Sequence, residues 1–178
     1  MTLLAALSLL ALPAAPQDTG GAKAVALARA MRSDVLAVAG ARRAFLTGAL
    51  DGRYGKVSPG CVRKVRHEEF TPGSAAVIGS VLSAQEIDAA LAFYQSDAGV
   101  KYVEGLIRRL RASQGEDSTL PKVPGKEEIS PAQMAAISDF ASSDLGRKIS
   151  GKEMTESPAA LAFGRQIMDT IAQKCGGR

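Results

Sequence analysis

The sequence predicts an all-α protein: a single-domain antiparallel helical bundle containing two copies of a helix-turn-helix unit, at about residues 83–112 and 130–155. Three observations carry this prediction. Apolar residues recur at spacings of three and four, one sequence pattern occurs twice, and serines suited to capping precede the helical stretches. With 178 residues, 46% of them hydrophobic and 22% charged, the chain has the composition of one ordinary globular domain.

The N-terminal half is expected to begin with one long amphipathic helix over residues 21–50. Its apolar face repeats with a period near 3.6, and Arg42 is the one polar residue on that face. The glycine-rich stretch that follows ends the helix, because glycine is common just past a helix terminus. The residues of the predicted face are Ala24, Ala28, Met31, Val35, Val38, Phe45 and Ala49.

Two shorter helices are expected next. One starts after Ser58-Pro59 and continues to about Phe70. The sequence Thr71-Pro72-Gly73 is expected to break it. Ser74 then has the character of an N-cap for a short apolar helix over residues 75–82.

The most informative feature is an internal repeat. Leu82-Ser83-Ala84-Gln85-Glu86-Ile87 matches Ile129-Ser130-Pro131-Ala132-Gln133-Met134 at an offset of 47 positions. At the same offset the pattern Phe-x-x-Ser-Asp-x-Gly-x-Lys occurs twice, over residues 93–101 and 140–148. The sequence therefore predicts two similar structural units.

Each copy predicts a helix, a tight turn and a second helix. A serine with Glu or Gln three residues later forms a capping box, and a second serine caps the second helix. The phenylalanine near the end of the first helix is expected to fill the core at the corner, and the glycine of the second helix to allow a neighbouring helix to approach closely. These motif residues are Ser83, Glu86, Phe93, Tyr94, Ser96 and Gly99, with Ser130, Gln133, Phe140, Ser143 and Gly146 in the second copy.

A loop is expected at about residues 113–128, which are rich in Ser, Gly and Pro. The last helix is predicted to begin at Ser157-Pro158, since proline is well tolerated in the first helical turn. Its apolar face is formed by Leu161, Gly164, Met168, Ile171 and Cys175.

The first residues have the character of a secretory signal. An uncharged apolar stretch from Leu3 to Leu12 is followed by small residues and prolines. We assign residues 1–14 as the signal peptide, with cleavage between 14 and 17, and residues 18–178 as the helical domain. A membrane anchor or a buried helix is the alternative, but a spanning helix needs about 20 apolar residues. The mature protein is expected in the periplasm or secreted, without a transmembrane span.

Export bears on the two cysteines, Cys61 and Cys175. In an oxidising compartment a pair of cysteines favours a disulfide, and a separation of 114 positions excludes CxxC redox chemistry. The predicted core-facing position of Cys175 supports the bridge. Two free thiols are the alternative.

A family resemblance rests on Phe93-Tyr94-Gln95-Ser96-Asp97-Ala98-Gly99-Val100-Lys101 and the preceding residues 82–87. These segments resemble the signature of the DUF2059 family, helical proteins exported by bacteria that have no established activity. The resemblance covers about residues 74–112 and a weaker second copy, in which Ala141 replaces the tyrosine. Asp97 stands where the family pattern has proline. The resemblance implies an all-α fold and an envelope location, and it supplies no catalytic residues.

Catalytic chemistry has little support in the sequence. His67 is the only histidine, and its neighbours Glu68 and Glu69 cannot face it from adjacent helical positions. A solvated surface histidine is the simpler interpretation. Other carboxylates, including Glu86, Asp88 and Glu104, form no isolated pair of the kind that glycosidases need. We therefore expect no catalytic residues, no metal site and no cofactor.

The charge is more suggestive than the motifs. The chain carries a formal net charge of +4, and basic residues cluster on both sides of the turn that ends the first predicted helix. Such a cluster can meet anionic lipid head groups or an acidic protein, although a solvated basic face is the simpler interpretation. Nucleic acid is not expected as a partner of an exported protein that is poor in aromatic residues. The predicted patch consists of Arg42, Arg43, Arg53, Lys56, Arg63, Lys64 and Arg66.

Three functional hypotheses follow. The leading one is a non-enzymatic exported protein that binds a macromolecular partner or an anionic envelope surface through the basic residues. The second is a periplasmic carrier of a small hydrophobic ligand, against which the many Ala and Gly residues count, because they favour close packing. The third is an envelope hydrolase, which would require His67 or a carboxylate in a buried cleft.

Overall fold

The computed structural model describes residues 19–114, 120–123 and 128–176. The predicted signal peptide and most of the predicted loop at 113–128 lie outside these residues. The described residues form eleven α-helices and one 3-10 helix, with no strand beyond an isolated bridge between Val57 and Gly176, so the predicted all-α class is confirmed. The helices are α1 Thr19–Met31, α2 Ser33–Leu46, α3 Asp51–Tyr54, α4 Pro59–Lys64, α5 Thr71–Val81, α6 Ala84–Tyr94, α7 Asp97–Gln114, α8 Pro131–Ser142, α9 Asp144–Ser150, α10 Lys152–Glu156 and α11 Pro158–Cys175, with the 3-10 helix at His67–Phe70.

The single helix predicted over residues 21–50 is wrong, because the chain breaks between α1 and α2. Arg32 adopts the left-handed conformation at φ 54°, which ends the helical hydrogen-bond ladder. The hydroxyl of Ser33 then donates to the carbonyl oxygen of Ala28 at 3.2 Å, across the break. Most of the predicted apolar face is nevertheless buried, at Ala24, Ala28, Val35, Val38 and Phe45. Met31 is only partly buried, and the prediction is wrong for Ala49, which is exposed beyond the end of α2.

The helix predicted from Pro59 to Phe70 is also wrong, because it is divided in two. Val65 and Arg66 are extended, with ψ near 130°, and separate α4 from the 3-10 helix. Extended backbone leaves the carbonyl of Val65 without a helical partner, and the guanidinium of Arg42 donates a hydrogen bond to it. The buried Arg42 thus supplies the hydrogen bond that the carbonyl of Val65 lacks at this interruption.

The predicted break at Thr71-Pro72-Gly73 is a helix start instead, because α5 begins at Thr71 with Pro72 in its first turn. Proline lacks an N–H that the first turn does not need, so it does not interrupt the helix there. Ser74 is therefore not a cap. It is buried inside α5, and its hydroxyl oxygen lies 2.6 Å from that of Ser33.

The capping boxes predicted for α6 and α8 are present. The N–H of Glu86 donates to the hydroxyl of Ser83 at 3.3 Å, and the N–H of Ser83 donates to the Glu86 carboxylate at 2.7 Å. The corresponding distances for Ser130 and Gln133 are 3.2 and 2.9 Å. Both helix starts are therefore fixed by local sequence.

The corners after α6 and α8 have matching hydrogen bonds. At the first corner the Ser96 hydroxyl accepts from the N–H of Gly99 at 3.2 Å and donates to the carbonyl of Phe93 at 2.6 Å. At the second, Ser143 does the same between Gly146 and Phe140, at 3.0 and 2.6 Å. A Cβ on Gly99 would overlap with the carbonyl oxygen of Phe93, and a Cβ on Gly146 would overlap with that of Phe140. The predicted close approach of a neighbouring helix is thus made by the end of the helix that precedes each corner.

The two helix pairs meet at an aromatic stack. The rings of Phe93 and Phe140 are parallel, with centroids 3.7 Å apart, and the ring of Tyr94 is nearly perpendicular to that of Phe140, with centroids 5.5 Å apart. The Lys148 ammonium on α9 lies 2.8 Å from the Glu86 carboxylate at the start of α6. The Glu86–Lys148 ion pair and the stack of Phe93 on Phe140 therefore connect the helix pair α6–α7 to the helix pair α8–α9.

The buried core consists of two clusters, and α2 contributes to both. Val35 and Ala39 belong to a cluster with α1, α5, α6 and α7. Val38 and Phe45 belong to a cluster with α4, the 3-10 helix and α11. On α11 the predicted face shifts by part of a turn, because Ile167 is buried while Leu161 is 50% exposed.

Substitution of the corner glycines tests this geometry. Gly99→Ala and Gly146→Ala should each lower the free energy of unfolding by about 1–3 kcal/mol or more, because the new methyl group meets backbone that cannot move aside. Gly105→Ala in α7 is the control. Its Cβ meets open space, so it should raise the free energy of unfolding by up to about 1 kcal/mol. If urea denaturation gives the same change in the free energy of unfolding for all three variants, the close contacts at the two corners are contradicted.

The Glu86–Lys148 pair predicts a pH dependence. The Lys148 ammonium, and next the N–H of Ser83, lower the pKa of Glu86 from 4.5 to about 2. A lowered pKa in the folded state means that the contribution of this carboxylate to stability is present above its ordinary pKa of 4.5 and is lost as the pH falls toward 2. Glu86→Gln keeps the cap, as Gln133 does, but should flatten the fall in melting temperature over this range. The same curve in wild type and variant would show that the pair contributes nothing.

Candidate functional site

The net charge of the protein is concentrated in one short stretch. Residues 47–66 carry five basic residues and one acidic residue, so their formal net charge of +4 equals that of the whole chain. The remaining charges cancel. This stretch comprises α3, α4 and the turns around them, where helices of four and six residues expose most side chains.

The predicted basic patch is modified by the structure, because Arg42 does not belong to it. Arg42 is only 8% exposed, and its guanidinium donates to the carbonyl of Val65. Burial lowers its pKa. Arg42 is therefore buried, as its position on the apolar face of α2 predicts, although other basic residues lie close to it in sequence. The basic patch below means the six that are exposed, Arg43, Arg53, Lys56, Arg63, Lys64 and Arg66.

The disulfide fixes this stretch to the end of α11. Cys61 and Cys175 are joined, as the sequence predicts, with their Cα atoms 5.4 Å apart. Beside the disulfide, the N–H of Ser58 donates to the carbonyl of Cys175 at 2.8 Å. On the α2 side, the Tyr54 ring packs edge-on against Phe45 with centroids 5.7 Å apart. The backbone that carries most of the basic patch is thus attached to α11 by the disulfide and to α2 by the contact of Tyr54 with Phe45.

His67 is not the solvated histidine that the sequence favours. Its side chain is 28% exposed, and Nδ1 lies 3.4 Å from a carboxylate oxygen of Asp34. The Thr71 hydroxyl donates to the same oxygen at 2.6 Å, and the N–H of Val35 donates to the other at 2.8 Å. Sequence reasoning missed Asp34, since only the break at Arg32 and the early start of α5 bring these residues together.

This polar cluster orients the chain rather than activating a nucleophile. The Thr71 hydroxyl donates to Asp34 and not to the imidazole. The Glu68 carboxylate lies 3.6 Å from Nε2 of His67, so the expectation that these neighbours cannot face each other is wrong, because a long Glu side chain can turn back toward the adjacent ring. A catalytic triad requires the hydroxyl on the imidazole and the carboxylate behind it. The contacts of Asp34 instead hold the 3-10 helix and the start of α5 against α2, which positions the residues that follow the basic patch.

The carboxylates considered from the sequence are engaged in ion pairs. Besides the Glu86–Lys148 pair, Asp88 lies 2.7 Å from the ammonium of Lys23 and Glu104 lies 3.9 Å from that of Lys101. Glu69 pairs with Lys174. Within the described part of the chain, no three His, Cys, Asp or Glu side chains are grouped in a way that could hold a metal ion.

An apolar groove lies between α2, α5, α10 and α11. Its volume is about 470 Å³, within the range of about 300–1,000 Å³ that is usual for ligand pockets. The close packing expected from the abundant Ala and Gly residues is wrong here, because these small side chains leave the space open. The apolar groove is lined by Ala37, Gly40 and Ala44 of α2, Phe163, Gly164 and Met168 of α11, and residues of α5 and α10.

A smaller cavity of about 240 Å³ lies beside the aromatic stack. Ala141 lines it at the position that corresponds to Tyr94, so the second helix pair lacks the ring that would fill this space. The cavity falls below the usual range of ligand pockets, about 300–1,000 Å³. The apolar groove is therefore the better candidate for a ligand site.

Comparison with known proteins supports the family resemblance and adds no activity. Residues 68–115, from the 3-10 helix to the end of α7, match the family model described as "Uncharacterized protein conserved in bacteria (DUF2059)". The DUF2059 resemblance inferred from the sequence is thereby confirmed over these residues. No significant match was found among curated proteins or among solved structures. Among the described helices, none is both long enough and apolar enough to cross a membrane.

The attachment of the basic patch predicts a local effect of reduction. Cys61→Ser/Cys175→Ser should lower the free energy of unfolding by about 2–4 kcal/mol, since the disulfide closes a long loop. In the native state, amide hydrogen exchange should increase first over residues 47–66 and at the end of α11. Exchange in α6, which belongs to the other core cluster, serves as the internal control. A uniform increase along the chain would contradict the assignment.

Proposed function

We propose that the protein is a non-enzymatic exported protein that binds an anionic surface of the bacterial envelope through the basic patch. One observation carries the proposal: residues 47–66 hold the entire formal net charge of the chain. A local concentration of cations attracts anionic lipid head groups, and each Lys or Arg near such a surface contributes about 1 kcal/mol. The attraction would therefore act at one end of the molecule and orient it.

Export to the periplasm or outside the cell is part of this proposal. The apolar stretch at residues 3–12 supports it from the sequence, and the Cys61–Cys175 disulfide supports it from the structure, because disulfides persist in oxidising compartments. A rigid attachment also favours binding. Less conformational entropy is lost when the cationic side chains project from a fixed backbone than from a flexible tail.

A second candidate function is the carriage of a small hydrophobic ligand in the periplasm. The apolar groove favours it, with a volume of about 470 Å³ and a mostly apolar lining in which Ser33, Ser74 and Thr155 are the polar residues. The envelope hydrolase hypothesis gains no comparable support. The one histidine among the described residues is oriented by Asp34 and meets no hydroxyl nucleophile in the observed contacts.

Vesicle binding tests the leading proposal. Wild-type protein should co-sediment with phosphatidylglycerol vesicles and not with phosphatidylcholine vesicles, and the binding should weaken as salt increases. Arg53→Gln/Lys56→Gln/Lys64→Gln should weaken it by about 100-fold, since three contributions of about 1 kcal/mol are lost.

The matched control removes the same charge from exposed positions elsewhere, with Arg29→Gln/Arg109→Gln/Lys152→Gln. Its binding should stay within a few-fold of wild type. Equal loss in the two triple variants would mean that net charge alone drives binding. Absence of binding to anionic vesicles would direct the search for a partner toward an acidic protein and refute the lipid-surface proposal.

A further inference from the structure

The apolar groove and the basic patch adjoin each other along two helices. Ala44 lines the groove on α2, and residues 47–66 begin only three positions later. On α11, Met168 lines the groove, and Cys175, about 10 Å further along the helix axis, is joined to Cys61 in that stretch. Both helices therefore lead from the groove toward the same cationic end of the protein.

The other end of the apolar groove has no such charge. Met154 and Thr155 of α10 and Ser33 of α2 line it there. The charged residues of α10 are Lys152, Glu153 and Glu156, and the exposed Arg32 precedes Ser33. Two acidic and two basic residues offer no net attraction to an anion. A ligand with an apolar part and an anionic part is thus favoured in one orientation only, with its charge toward the basic patch.

We propose that the apolar groove holds the alkyl chain of a single-chain anionic amphiphile, whose carboxylate or phosphate head group contacts the basic patch. This inference rests on the proposed function, since it joins the cationic surface and the hydrophobic carrier in one site. Burial of a chain of methylene groups supplies affinity, and the charge at one end supplies specificity over neutral lipids. Arg43 and Arg53, on α2 and α3, are the residues assigned to the head group.

Two glycines make the groove testable without disturbing the fold. Gly40 and Gly164 both line the groove, and a Cβ added at either position meets no atom within 4 Å. Leucine is also a better helix former than glycine, so Gly40→Leu/Gly164→Leu should fold while filling the space that the alkyl chain needs. Gly105→Leu is the matched control, because Gly105 has the same open surroundings in α7 and does not line the groove.

Titration calorimetry with decanoate, decyl phosphate and decanol, each below the concentration at which it forms micelles, tests the inference on the full-length protein. Wild type should bind both anions at least 10-fold more tightly than decanol. Gly40→Leu/Gly164→Leu should lose at least 10-fold in affinity for all three, whereas Gly105→Leu should match wild type. Arg43→Gln/Arg53→Gln should reduce the affinity for the anions to that for decanol and leave decanol unchanged. Preference for decanoate or for decyl phosphate distinguishes a fatty acid from a phosphorylated lipid.

The outcomes separate this inference from the functions on which it rests. Equal affinity for decanol and decanoate would overturn the anionic class and leave a carrier of neutral ligands. Loss of binding in Gly105→Leu, or none in Gly40→Leu/Gly164→Leu, would place the ligand elsewhere and overturn the site. No binding of any of the three compounds would refute both the inference and the carrier, while binding to anionic vesicles would still support the surface function.

Discussion

The packing of α2 is the constraint on which the rest of the structure depends. One side of this helix is buried in both core clusters, while its small residues at Ala37, Gly40 and Ala44 line the apolar groove. The left-handed conformation of Arg32 lets α2 leave the direction of α1, although this conformation costs a non-glycine residue roughly 1–2 kcal/mol. Buried apolar contacts on α1 and α2 offset that cost, since α1 packs against α5 and α6 while α2 also reaches α4, the 3-10 helix and α11.

Local signals made part of this fold predictable. The capping boxes of α6 and α8 and the serine-glycine corners follow from side chains within a few residues of one another. The disulfide is predicted from the two cysteines together with the expected export. The break at Arg32 and the start of α5 at Thr71 depend on partners distant in sequence. Ser33 meets Ser74, and Asp34 meets Thr71 and His67, so no local pattern could reveal them.

The candidate site likewise has a part that the sequence predicts and a part that depends on contacts between distant residues. Charge density along the chain identified six of the seven predicted patch residues, because exposure is the default for Lys and Arg. Arg42 is the exception, and the hydrophobic period that placed it on the buried face was the better guide. The apolar groove was not predictable from composition. At the Gly99 and Gly146 corners the close contact is local, because the chain turns back on the end of the preceding helix. At Gly40 and Gly164 the space depends on how α2 and α11 lie relative to each other, which no local pattern shows.

The disulfide connects these features to function. Short helices such as α3 and α4 have little stability of their own, because most of the stability of a helix comes from packing and a few turns bury little apolar area. A polypeptide rich in Lys and Arg further repels itself. The bond between Cys61 and Cys175, with the backbone contact of Ser58 beside it, holds that repelling stretch against α11, at the end toward which the groove leads. In a reducing compartment the covalent part of this attachment would be lost, and the cationic end would open more readily from α11.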